Sequence, residues 1–198
     1  RASVYIDDEI GIDDFAYELF RQFALFPSFF LGQYSLNYID LDRVDYSKPL
    51  SQNLNLLEDL EEDTAAYRTI YNEIILNYNF NYISEKFESQ VHLHKGNNQQ
   101  CAQASLAKGG KRQFKLDAKW RRDSGVAREV AFRYASLLSS KRVLYKARAK
   151  YRDDIQFRVG DMIPVTYDRF SFNNTPLLIT SLTERRDFID LELTLYVR

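Results

Sequence analysis

The apolar positions change their period at about residue 71. Ahead of it they repeat at helical spacing. Phe15, Leu19 and Phe23 fall at i, i+4 and i+8 behind Asp13 and Asp14, which can cap a helix, and Pro27 ends the run. Residues 4–6 read as a strand or an extended entry. FFLGQYSLNYIDL is mixed and aromatic, is broken by Gly32, and predicts loop and a short strand. In SQNLNLLEDLEED, Leu54, Leu57 and Leu60 precede an acidic end, so the spacing predicts a second short helix.

Beyond residue 71 the period is two. Ile74, Leu76, Tyr78, Phe80 and Tyr82 alternate with Ile75, Asn77, Asn79, Asn81 and Ile83, giving a long strand with an aromatic face and an Asn-lined face. Residues 87–93 return as its partner. Residues 95–112 are small, polar and glycine-bearing, and predict a loop or domain seam. FKLDAKW is a strand that ends on Trp120. Asp123 or Ser124 then caps a helix near residues 124–139. In it Val126, Val130 and Tyr134 lie beside Ala127, Ala131, Ala135 and Leu138, with Arg128 and Arg133 outward. RVLYKARAK alternates Leu144, Lys146, Arg148 and Lys150 against Val143, Tyr145, Ala147 and Ala149.

FRVGDMIPVTYD supplies one or two strands around a corner. Gly160 permits positive φ there, Asp161 can hydrogen-bond backbone amides, and Pro164, lacking an N–H, belongs at an edge or bulge. LLITSLTE, a tight RRD turn and FIDLELTLYV form a hairpin, with Ile189, Leu191, Leu193, Leu195 and Val197 on one face. The expected fold class is α+β: a helical and loop subdomain over residues 1–70, then a mainly antiparallel β module over residues 71–198 with one embedded helix.

Composition narrows the class. With 198 residues and 45% hydrophobic content, the chain can bury the core of one large domain or two small ones. Its 14 Tyr and 14 Phe exclude a disordered chain. The uncharged run over residues 22–39 holds Pro27, Gly32, Gln33, Ser35 and Asn37, too polar and broken for a membrane span. Cys101 is the single cysteine, so no internal disulfide can form. The first residue is Arg1, and the chain is expected to be a piece of a longer one.

The net charge of -1 conceals a polarity. Residues 1–100 carry 7 basic and 17 acidic side chains, and residues 101–198 carry 20 and 11. Within 108–152 the tally is 15 against 3. Such a stretch is a solvated or internally compensated face, a protein contact, or a nucleic-acid contact. Arg121, Arg122, Lys146 and Arg148 are the candidate contacts to an anionic partner, with Trp120, Tyr134, Tyr145 and Tyr151 available to stack on bases.

Candidate chemistry is sparse. His92 and His94 share a strand face, but zinc wants three or four ligands and Cys101 is the only other soft donor. Cys101 as a nucleophile lacks an evident base. The run Glu58, Asp59, Glu61, Glu62, Asp63 carries no histidine and fits no ligand loop, so it reads as a solvated end. LAKGGKRQ lacks phosphate-loop spacing. No catalytic, cofactor or metal residues are assigned, and the chain is expected not to be an enzyme.

One family resemblance extends over roughly residues 70–198. IYNEIILNYNFN, the Ser105 to Gly110 turn and the strand ending near Trp120 open it. DSGVAREVAFRYASLL, RVLYKARAKY, the Val-Gly-Asp turn into IPVTYD, and TPLLITSLTERRDFIDLELTLYV follow in order. In that order the chain resembles the tail-hub and tail-tip proteins of tailed bacteriophages. Its first 70 residues look like a small insertion preceding that module. The resemblance implies a structural ring, often trimeric, that joins tail tube to baseplate or fibres. Its implied partners are copies of itself and other tail proteins, its place is the virion tail, and no cofactor or catalytic residue is implied.

Overall fold

The structure, a computed structural model, describes residues 12–30, 33–63, 70–107, 109–150, 152 and 154–197. In chain order they form α1 (Ile12–Gln22), β1 (Leu25–Phe30), β2 (Gln33–Tyr38), β3 (Leu50–Ser51), β4 (Glu61–Asp63), β5 (Glu73–Asn81) and β6 (Lys86–Leu93). There follow α2 (Gln99–Ala107), β7 (Gln113–Asp117), α3 (Ser124–Leu138), β8 (Lys141–Lys150), β9 (Met162–Tyr167), β10 (Phe172–Glu184) and β11 (Phe188–Val197). Helices and mixed sheets make the fold α+β. The strand expected at residues 4–6 and the break at Gly32 lie outside the described residues. Packing separates two units, each assembled from two stretches: 1–25 with 69–140, and 26–68 with 141–198. A single cut at residue 70 does not follow these units, because β3 and β4 join the sheet formed by residues 141–198.

The first unit is a three-stranded sheet, β6-β5-β7, with β5 antiparallel to β6 and parallel to β7. Alternation along β5 puts Ile74 and Leu76 inward, where they pack with Leu93 and Leu116 against Ala127, Val130, Ala131, Tyr134 and Ala135. Three alanines let helix and sheet approach closely, which is how the stripe of α3 becomes core. Asp123 caps α3 by accepting the Val126 N–H at 2.8 Å. On the other face of β5 the asparagines are paired. Asn77 donates to Asp117 at 2.6 Å and accepts from Gln90 at 2.8 Å, while Asn79 and Asn81 donate to Glu88 at 3.0 and 2.6 Å.

Residues 95–112, expected as a loop, contain α2. Asn98 caps it by accepting the Cys101 N–H at 3.0 Å, and Cys101 and Ala104 are buried one turn apart. Its stripe is made of small residues, which a search for large apolar positions misses. The β module therefore embeds two helices, not one.

The second unit is a six-stranded sheet, β3-β9-β10-β11-β8-β4, antiparallel except for β3 beside β9. Ile189, Leu191 and Leu193 of β11 point into a core shared with Tyr145, Ala147 and Ala149 of β8 and with Ile163, Val165, Leu177 and Ile179. The RRD turn closes with the Arg185 N–H donating to the Phe188 carbonyl at 2.9 Å.

The helix expected over residues 51–63 does not form. Asn55, buried, donates to the Pro49 carbonyl at 2.8 Å and accepts from the Ser51 N–H at 3.0 Å, fixing a turn instead. The chain then runs along β8: Lys150 N–H donates to Asn55, Leu57 N–H donates to Arg148, and β4 pairs with 144–146. Leu60 is buried in the core, whereas Leu54 and Leu57 are exposed. The backbone groups at the edge of β8 outcompete a short helix with only one buried leucine. FRVGDMIPVTYD holds one strand, not two; Phe157 is buried in irregular chain ahead of the turn. Pro164 sits within β9, opposite Pro176 of β10. Neither proline has an N–H, so this is a non-hydrogen-bonded pair, and pairing with β3 begins only at Val165.

Candidate functional site

The Gly160–Asp161 corner is locked by hydrogen bonds from both sides. Gly160 has φ 95°, the left-handed region that favours glycine. Its N–H donates to the Ile179 carbonyl at 2.9 Å, and the Ile179 N–H donates to the Asp161 carbonyl at 2.9 Å. The Asp161 carboxylate accepts from the Arg158 N–H at 3.0 Å and from Lys48 Nζ at 2.5 Å. Lys48 also lies 3.4 Å from Asp45. Hydrogen bonding from the Ser47 hydroxyl, with Lys48 adding attraction, holds the Asp45 carboxyl below its usual value despite partial burial. Asp40, Arg43, Val44, Asp45 and Met162 line the open cleft beside the corner. Both carboxylates are spent on turns and one lysine, which is structural chemistry.

The four candidate anion contacts are divided between the two units. Arg121 and Arg122 belong to the first unit, Lys146 and Arg148 to the second. Arg121 is 8% exposed, its guanidinium stacked 3.9 Å over Phe23, so it is not presented to an external anion. Burial pulls its pKa down from the ordinary arginine value. Arg122 is exposed. Arg148 is clamped by Glu58 and by Asp190 at 2.9 Å, and lies 4.3 Å over Phe188. Lys146 approaches Asp63 at 3.8 Å.

The acidic run of the first half is thus the counterpart of basic strand β8. Glu61 and Asp63 face Lys146 and Leu144 across the β4–β8 ladder, Glu58 holds Arg148, and Asp59 accepts from the Tyr167 hydroxyl at 2.9 Å. Part of the charge polarity is compensated inside the chain, by an acidic strap over the edge of a basic strand. The sequence tally contained both partners; only the fold shows their pairing.

Nucleophile and metal candidates are placed plainly. Cys101 is fully buried, and burial pushes its thiol up, which suppresses the reactive thiolate. His92 lies 3.3 Å from Glu73 and its ring 5.1 Å from that of His94. Among the described residues, no group of three or more His, Cys, Asp or Glu is arranged to hold a metal ion. Asn72 ties the GGKR turn down, donating to the Gly110 carbonyl at 2.6 Å and accepting from the Arg112 N–H at 2.8 Å. Among the described residues, no helix is long and apolar enough to cross a membrane.

No family model matches the sequence, and no curated protein sequence does. The fold has relatives among solved structures. The 43 kDa tail protein of prophage MuSo2 from Shewanella oneidensis aligns with TM-score 0.53 at 10% identity. That alignment covers 98% of this chain and 57% of the tail protein. A chain from the virion of a native gene transfer agent particle aligns with TM-score 0.61 at 17% identity, covering 92% of this chain and 38% of that one. The chain therefore spans between about two fifths and three fifths of the length of these two proteins. It has the fold found in a prophage tail protein and in a chain of a gene transfer agent virion.

Proposed function

We propose that the chain is a non-enzymatic structural part of a phage or phage-like tail. Its place is a hub or tip ring that links the tail tube to the baseplate or fibres, with other tail proteins and copies of itself as partners. The observation that carries the reading is the fold shared with a prophage tail protein over nearly the whole chain. The site chemistry is consistent with it. The Asp161 carboxylate at the corner, Arg148 of β8 and the buried Cys101 all serve packing or pairing.

A nucleic-acid contact over residues 108–152 is disfavoured by geometry: Arg121 is buried and Arg148 is neutralised by two carboxylates. The charge polarity supports copy-to-copy contact less than the sequence tally suggests, since Glu58 and Asp63 are engaged within the chain.

The test is deletion of the coding segment from the phage or prophage that carries it. The proposal expects filled heads that lack functional tails, restored by supplying the chain in trans. Normal tails and normal infectivity without it overturn the proposal.

A further inference from the structure

The turn from β6 into α2 is tied together by one residue. The His94 N–H donates to Asn97 Oδ1 at 2.8 Å, and the His94 carbonyl accepts from the Asn97 and Asn98 N–H groups, each at 3.0 Å. Its ring folds back over the turn, where Nδ1 accepts from the Gly96 N–H at 3.1 Å. Glycine leaves the space for this, since a Cβ at residue 96 would lie 2.9 Å from His94 Cε1. Asn97 Nδ2 also donates to the His92 carbonyl at 2.9 Å, which ties the turn to β6. Asn98, the last residue of the turn, caps α2.

What the turn holds is otherwise lightly anchored. α2 has 9 residues, too few to be stable as an isolated helix, and its buried side chains are the small Cys101 and Ala104. Elements with so little buried apolar contact open locally at low free energy. The bond that the His94 ring accepts has a protonation requirement. An imidazole nitrogen accepts only in the neutral ring; once protonated, both nitrogens donate, and the Gly96 N–H would face a second donor.

The charged surroundings act in the same direction. Glu73 of β5, Lys95 of the turn and Lys111 ahead of β7 line one cleft with His94, to which α2 contributes the neutral Ser105. The His92 ring lies 5.1 Å from that of His94. The carboxylate of this group is already engaged: Glu73 accepts from Gln113 at 2.7 Å and lies 3.3 Å from both Lys111 and His92. Despite partial burial, these bonds hold its carboxyl below the usual value, so it stays ionised throughout the imidazole range. A charge on His94 therefore joins Lys95, Lys111 and, at acid pH, a protonated His92.

We propose that the His94 turn is a pH-sensitive latch, which holds α2 on the first unit while the ring is neutral and releases it on acidification. Imidazoles change charge between about pH 5 and 8, so the latch is complete at the upper end and lost as pH falls. Release uncovers Cys101, which is packed in the core with Leu93, Ala127 and Ala131. It is read on purified chain and does not depend on the tail assignment.

Cys101 is the single cysteine and is fully buried, so its modification by a pyridyl disulfide reports release. His94→Asn is the comparison: an asparagine side chain accepts from the N–H two residues on, as the ring does, and carries no charge. The ratio of the native rate to the His94→Asn rate cancels the pH dependence of the thiol itself. That ratio is expected to rise about fivefold from pH 8 to pH 5, the worth of one hydrogen bond, while the circular dichroism of both chains holds. A ratio constant with pH overturns the latch. Loss of the native circular dichroism by pH 5 also overturns it, because the opening would then be global. If His94→Asn is unfolded at pH 8, amide spectra of the native chain decide instead. The Gly96 resonance should shift with the titration of the His94 ring, and a Gly96 amide that ignores it overturns the latch.

Discussion

Truncating Leu60 to alanine distinguishes an edge strap from a helix over residues 51–63. Leu60 is 1% exposed and packs in the core of the second unit, whereas Leu54 and Leu57 are 46% and 49% exposed. Removing a buried leucine side chain costs about 2–5 kcal/mol, transfer and cavity terms together, so about 3 kcal/mol is expected at Leu60. Exposed positions away from special contacts change stability by about 0.5 kcal/mol or less. A helix stripe of Leu54, Leu57 and Leu60 would instead make the three truncations comparable. The assay is urea unfolding followed by circular dichroism. With a slope of about 2 kcal/mol per molar urea, Leu60→Ala lowers the midpoint by about 1.5 M and Leu57→Ala by about 0.2 M. Equal shifts at all three leucines, or a shift under about 0.3 M at Leu60, refute the strap.

Three other outcomes are expected. Gly160→Ala destabilises by about 1–3 kcal/mol in the same assay because its φ of 95° strains any side chain, while Gly109→Ala, with nothing within 4 Å, is close to neutral. Burial, foremost, pushes the Tyr134 phenol up to about 12 from an unfolded value near 10. The folded state thus favours the protonated phenol; its contribution is full below pH ~10 and is lost as pH rises from about 10 to 12. Trp120 emission should shift red over that window in the native chain, and Tyr134→Phe should remove that dependence. Cys101, fully buried with its thiol raised, should react with Ellman's reagent only at the rate of opening, and fast in urea; prompt labelling of the native chain contradicts the burial.

What could be read in the sequence depended on how much contrast each element carries. In β5, β8 and β11 apolar residues recur at every second position of the core face, so Ile74 and Leu76, Ala147 and Ala149, and Leu191 and Leu193 mark inward positions directly. The Ala-rich stripe and Asp123 cap did the same for α3. Low contrast hid α2, whose buried positions are Cys101 and Ala104. A chance spacing misled at Leu54, Leu57 and Leu60, because the decisive partner, the edge of β8, comes some 90 residues later. The same distance hid the pairing of Glu58 with Arg148, so a count of charges showed polarity but not its compensation. The burial of Arg121 under α1 was equally illegible: nothing local marks an arginine beside a tryptophan as the seat of a distant helix end.

The central claim is that the chain is a structural part of a tail. Quantitative mass spectrometry of purified particles, with labelled antibody located by electron microscopy, tests it most directly. The account predicts a fixed number of copies per particle, small compared with the major tail-tube protein, and label at one end of the tail. Particles that contain no detectable chain, with all of it left in the soluble fraction of the lysate, contradict the account.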